Sequence, residues 1–313
     1  MTRRRVGVAA AIVACSLVAV GCVSTHGVRD IPDFYRAPAT IPSDAPGSIV
    51  RVESMTPPSS TSSAWRIMYT SRDEHGHPIV VTGMVIAPNG AAPPSGRPVV
   101  AWAHPTTGIA DGCAPSVQRE PFGAVMGLSA FLEQGWVVVA TDYQGLGTEG
   151  THAYLDGPGE ARSVLDSVRA AHALANANAS TTFGVFGHSQ GGQAALFTGQ
   201  LAATYAPDLT LVGVVAAAPS GDLRQQFDLT GNTDAYSYVG AYMVVSWSDL
   251  YGTQPGTAVT AAASDEVRRL ATECVVGGSK AADDRLVHIF DTDPSVSPSL
   301  WVDGFTGTEP WRG

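Results

Sequence analysis

Charge, cysteine and long apolar spans are all scarce in this 313-residue sequence, and each scarcity excludes something. Only 15% of the residues are charged, the net charge is −10, and no basic stripe occurs, which argues against a nucleic-acid surface. There is no dinucleotide fingerprint, no metal-ligand constellation and no phosphate-binding glycine loop beyond the turn described below, so no cofactor is inferred. His75 and His77 stand close together but have no third ligand nearby, and a solvated turn explains them better than a metal site. The apolar run Val6–Val20 is too short for a comfortable membrane span. With 44% apolar residues, the composition is that of a globular protein long enough for one large α/β domain with an insertion.

What is present begins with a secretory signal. Arg3-Arg4-Arg5 precede the apolar run, and Gly21 supplies the small residue before the break, so residues 1–22 read as a signal peptide. Ala19-Val20-Gly21-Cys22 also fits a bacterial lipobox, with alanine where leucine is more usual. Lipidation of Cys22 would anchor the protein to the outer face of the cell membrane; an ordinary cleavable signal would release it. Cys15 leaves with the signal, so Cys113 and Cys274 are the remaining pair. In an oxidising compartment they form one disulfide or stay as two buried thiols.

The chain is organised around Thr182-Phe183-Gly184-Val185-Phe186-Gly187-His188-Ser189-Gln190-Gly191-Gly192. An apolar strand, a glycine-flanked turn and a small-residue helix follow one another, with Ser189 at the apex of a G-x-S-x-G nucleophile elbow. The glycines let strand and helix approach, and the strained turn holds the serine hydroxyl clear of the sheet. The helix N-terminus offers the Gln190 amide to a developing oxyanion.

Residues 23–63 are rich in Pro, Ser, Thr and Gly and read as a tether and an arm. From 64 to 221 the pattern is that of an α/β core. Trp65–Thr70 and Ile79–Ala87 form a hairpin, and 98–103 and 136–141 are buried strands. Helices are expected over 122–134 and 160–175, and 211–218 reads as a further strand. This alternation predicts a largely parallel sheet with helices on both faces. Thr106 or Thr107, in the loop after strand 98–103, is the source of a second oxyanion donor, and His104 fixes that loop. Asp142 lies in a turn at the mouth of the site and is given no catalytic role. Residues 222–313 read as a lid, with Tyr236, Tyr238, Tyr242, Trp247 and Tyr251 either lining an apolar cleft or forming the lid's own core.

Three stretches together resemble the bacterial branch of the secretory lipase family of α/β-hydrolases, from about residue 50 onward. They are His104-Pro105-Thr106-Thr107-Gly108 through Cys113-Ala114-Pro115-Ser116, then Asp142-Tyr143 with Gly145-Leu146-Gly147-Thr148, then Gly187-His188-Ser189-Gln190-Gly191-Gly192. The resemblance implies Ser189 as nucleophile, an oxyanion amide near Thr106, a lid after the elbow strand and a disulfide from Cys113 to a lid cysteine, which Cys274 fits. It also implies hydrolysis of carboxylic esters, including acylglycerols, within lipid catabolism. Pro105 departs from the pattern, since the loop more often has glycine there and proline has no N–H to donate.

Ser189 needs a base and an orienting carboxylate, expected later in the chain. His288 is the only histidine after Ser189, with Asp283 or Asp284 as the acid almost adjacent to it. The family's acid and histidine lie on strands after the lid, roughly where this sequence reaches Gly313. The expectation is therefore a chain shortened relative to its family, with the last strands missing and His288 the one base available in the chain. An ester hydrolase, a catalytically inactive hydrolase fold that binds lipid or is a gene fragment, and an acyltransferase are the readings left open.

Overall fold

The computed structural model describes residues 31–42, 45–230, 234–275, 301–302 and 304–308. Seven strands form one sheet in the order β1-β2-β3-β5-β4-β6-β7. β1 (Ile49–Met55), β2 (Ser62–Arg72) and β3 (Pro78–Pro88) make an antiparallel meander, and β3 pairs antiparallel with β5 (Val137–Thr141). β4 (Arg97–Ala103), β5, β6 (Ala179–His188) and β7 (Thr210–Ala217) are mutually parallel. The sheet is thus mixed, with its parallel half carrying the elbow.

The parallel half follows from composition. Val99, Val100, Ala101, Trp102 and Ala103 of β4 and Val137–Ala140 of β5 are all buried, as strands covered on both faces must be. On one face α2 (Gly157–Ala173) and α3 (Gln190–Tyr205) pack Val164, Leu165, Val168, Ala171, Ala194 and Ala195 against Val99, Ala101, Val139, Phe183 and Val185. Asp156 caps α2 by accepting from the Gly159 N–H at 2.9 Å. The other face carries the short helix α1 (Leu128–Glu133), where Trp102 meets Phe186 edge-to-face at 5.1 Å. Burying a side chain of that size contributes about 2–3 kcal/mol.

Two local expectations are corrected. The segment read as an arm contributes β1, paired with β2 from Ile49–Tyr69 to Met55–Ala64, because backbone pairing compensates for its weak apolar pattern. The helix expected over 122–134 begins only at Leu128: Gly127 sits at φ +75° and interrupts the run.

α4 (Leu223–Thr230), α5 (Asp234–Tyr251) and α6 (Ser264–Leu270) follow the sheet. Tyr242, Trp247, Val267, Leu270, Trp301 and Phe305 form a cluster with Tyr154 and Leu155. Tyr242 and Trp247 are thus buried in a cluster shared with the segment before α2, while Tyr251 is exposed. Among the described residues β7 is the last strand of the sheet, with Val212 at 69% and Val215 at 56% exposure. No helix among the described residues is long and apolar enough to cross a membrane.

Candidate active site

Ser189 stands between β6 and α3 with φ 56° and ψ −118°, a conformation sparsely populated by residues carrying a Cβ. Three backbone hydrogen bonds hold it there. Its N–H donates to the Ala217 carbonyl at 2.9 Å, and its own carbonyl accepts from Gln193 at 3.1 Å and Ser220 at 3.2 Å. The flanking glycines are required by close approach. A Cβ on Gly187 would collide with the Gly191 carbonyl, and one on Gly191 would collide with the carbonyls of Ala103 and His104. The start of α3 is thereby pressed against the end of β4 and the loop leaving it. Ser189 itself is only partly buried.

That loop is held from several sides. His104 is buried, with Nδ1 2.7 Å from the Pro105 carbonyl and Nε2 3.3 Å from that of Asp142. Burial lowers its pKa to about 4. The Thr106 hydroxyl lies 2.8 Å from the Tyr154 hydroxyl, whereas Thr107 Oγ1 is buried without a partner. Of the two threonines, Thr107 therefore has the uncommitted hydroxyl. Cys113 and Cys274 are joined in a disulfide, and the Val275 N–H donates to the Thr107 carbonyl at 2.8 Å. The segment after α6 is thus pinned to the loop after β4.

Asp142 has a supporting place. Its buried carboxylate accepts from the Ser116 N–H and Thr82 Oγ1, each at 2.8 Å, and from Ser116 Oγ. Ser116 Oγ in turn meets the Tyr35 hydroxyl at 2.7 Å, which fastens the 31–36 segment to the domain. Burial pushes the Asp142 pKa up while these hydrogen bonds hold it down. His75 and His77 occupy the β2–β3 turn, where His77 Nδ1 contacts Asp73 at 3.1 Å.

Gln190 follows Ser189 and opens α3, so its N–H stands at the unpaired N-terminus of that helix. Its buried side chain contacts His152 and Glu160, neither of which carries a local sequence signal. The ring-nitrogen hydrogen bonds of His104, His152 and His172 among the described residues go to Pro105 and Asp142, to Gln144 and Gln190, and to Ala179, and none goes to Ser189. Cys22, Asp283, Asp284 and His288 lie outside the described residues.

With this geometry in view, the comparisons are consistent with one another. The model of the family described as secretory lipase matches residues 122–275. A protein named probable inactive lipase from Mycobacterium tuberculosis is 28% identical over 257 residues, covering 76% of this chain and 55% of that protein. Lipase 7 of Candida albicans is 27% identical over 202 residues, covering 58% of this chain and 45% of that protein. The chain spans about half the length of the curated relatives it matches. Candida antarctica lipase A in its closed state superposes with a TM-score of 0.70 at 20% identity, over 90% of this chain and 66% of that one. The rice cell wall degrading esterase LipA from Xanthomonas oryzae gives 0.67 at 21% identity, over 86% and 77%.

Proposed function

Starting from an α/β-hydrolase fold related in sequence to the secretory lipases, we infer that this chain is the nucleophile-bearing part of a secreted carboxylic ester hydrolase acting on acylglycerols or comparably apolar esters. The observation that carries the reading is the backbone of Ser189, held at φ 56° between a strand and a helix N-terminus. Strain of this kind persists only where surrounding structure over-determines it. Ser189 Oγ attacks the ester carbonyl and gives up its proton to a base. The tetrahedral oxyanion is held by the Gln190 N–H and by a donor from the loop after β4. Thr106 is the residue assigned there from the sequence, and the free Thr107 hydroxyl supports that loop as the donor. Collapse expels the alcohol, which takes the proton from the base, and water then releases the acyl group.

His288, the one histidine after Ser189, is the base to test, with Asp283 or Asp284 as its orienting acid. The N-terminal signal supports secretion, and lipidated Cys22 would keep the protein at the outer membrane face.

The deciding experiment is fluorophosphonate labelling of the purified protein, with Ser189→Ala as control. Labelling is expected at Ser189 and to be abolished in Ser189→Ala; labelling that survives this substitution would refute the assignment. His288→Ala is expected to slow labelling strongly, and a variant that labels at the wild-type rate removes His288 as base. A second reading, an inactive hydrolase fold, is favoured by the mycobacterial relative named a probable inactive lipase. A folded wild type that does not label would establish it. Acyl transfer uses the same serine and would appear as ester formation when an alcohol competes with water.

A further inference from the structure

The group least explained by the elbow is the buried side-chain chain behind it. His152 Nδ1 lies 2.8 Å from the Gln144 carbonyl, an acceptor only, so Nδ1 carries the proton. In the neutral ring Nε2 is then an acceptor, and Gln190 Nε2 donates to it at 3.0 Å. The second hydrogen of the same amide goes to Glu160 Oε1 at 2.7 Å, which also accepts from the Leu155 N–H at 3.0 Å. Turning the Gln190 amide over would set its oxygen against the His152 lone pair, so His152 dictates its orientation. The His152 ring stacks on Tyr143 at 6.0 Å between centroids.

Burial pushes both flanking groups toward their uncharged forms. Burial lowers the His152 pKa to about 3, and burial raises that of Glu160 well above the ordinary carboxylate range. Buried polar groups are costly unless they are hydrogen-bonded, and a hydrogen-bonded network rigidifies the geometry it holds. The geometry they specify is that of the residue next to the nucleophile.

We propose that His152 and Glu160 are positioning residues that clamp the Gln190 side chain and thereby fix the direction of the Gln190 N–H beside Ser189. The proposal rests on the ester-hydrolase reading for its role in catalysis, but the clamp itself can be tested without turnover. Three variants suffice. Glu160→Leu removes the acceptor, His152→Phe keeps the ring stack but removes Nε2, and Glu160→Gln keeps an acceptor without a carboxyl proton.

Two readouts are taken on each: the fluorophosphonate inactivation rate, separated into reagent affinity and first-order step, and the ¹H–¹⁵N resonance and hydrogen exchange of the Gln190 backbone amide. Removing an oxyanion donor outright costs about 10²–10³ in rate, so a misdirected one should cost on the order of tenfold or more. Glu160→Leu and His152→Phe are expected to lose that factor in the first-order step with affinity retained, and to shift the Gln190 resonance. Glu160→Gln is expected to recover most of the rate lost in Glu160→Leu.

Variants that melt lower but keep both the rate and the Gln190 resonance would overturn the proposal, leaving the network a structural one. Should Glu160→Leu not fold, His152→Phe decides by the same two readouts. If the folded wild type does not label, the ester-hydrolase reading fails. The resonance then decides the clamp alone: a shift in the apolar variants and not in Glu160→Gln upholds it, and no shift refutes it.

Discussion

Replacing Ser189 by glycine should make the protein more stable than replacing it by alanine. Both changes remove the hydroxyl, and neither touches the three backbone hydrogen bonds to Ala217, Gln193 and Ser220. What differs is the Cβ at φ 56° and ψ −118°. Strain of this class costs about 1–3 kcal/mol, and glycine releases it. Glycine in turn loses about 0.5–1 kcal/mol through the greater freedom of its unfolded chain. Because Ser189 is only partly buried, losing its Cβ removes little packing. The balance favours glycine by up to about 2.5 kcal/mol, with each kcal/mol worth roughly 2–4 °C in melting temperature for a domain of this size. Urea unfolding of the two variants, followed by circular dichroism at one pH, measures the difference directly. Alanine equal to or more stable than glycine would refute the claim that the elbow stores strain.

Two further predictions concern the surroundings of the site. The Cys113–Cys274 disulfide closes a separation of 161 residues, for which the chain-entropy relation gives about 5 kcal/mol. Reduction, or the double change Cys113→Ala with Cys274→Ala, should lower the urea midpoint substantially; an unchanged midpoint with both thiols titratable would contradict this. His104 has a folded pKa of about 4 against an ordinary value of 6.5, because burial disfavours its charged form. On acidification the unfolded chain therefore binds its proton first. The stability His104 contributes is complete above about pH 6.5 and lost by about pH 4, at up to about 1.4 kcal/mol per pH unit. His104→Gln should flatten the pH dependence of unfolding in that window by one proton, and parallel curves for the two proteins would exclude the effect.

Much of the architecture is legible from local patterning. The buried strands β4 and β5 are near-continuous valine and alanine runs, the β2–β3 hairpin is marked by its turn residues, and α2 shows its apolar stripe at helical spacing. The elbow is legible for the same reason, since Gly187, Ser189 and Gly191 fall within one strand–turn–helix unit whose steric demands act over a few residues. β1 is not: Ile49–Met55 is half exposed, and pairing with β2 rather than an apolar pattern holds it in place. Nor is the shortening of α1 at Gly127 visible in an apolar periodicity.

By itself, then, the sequence determined the α/β class, the serine at its turn and the glycines that admit it, because backbone sterics and side-chain periodicity are short-range. Only the tertiary structure decided that β5 lies between β3 and β4, that the α5 aromatics pack in one cluster with Tyr154 and Trp301, and that Gln190 meets His152 and Glu160 from 38 and 30 residues away. Those contacts have no local signature. They exist because α2 and the loop before it are packed against α3, and a buried amide must find its partners among whatever the packing brings within about 3 Å.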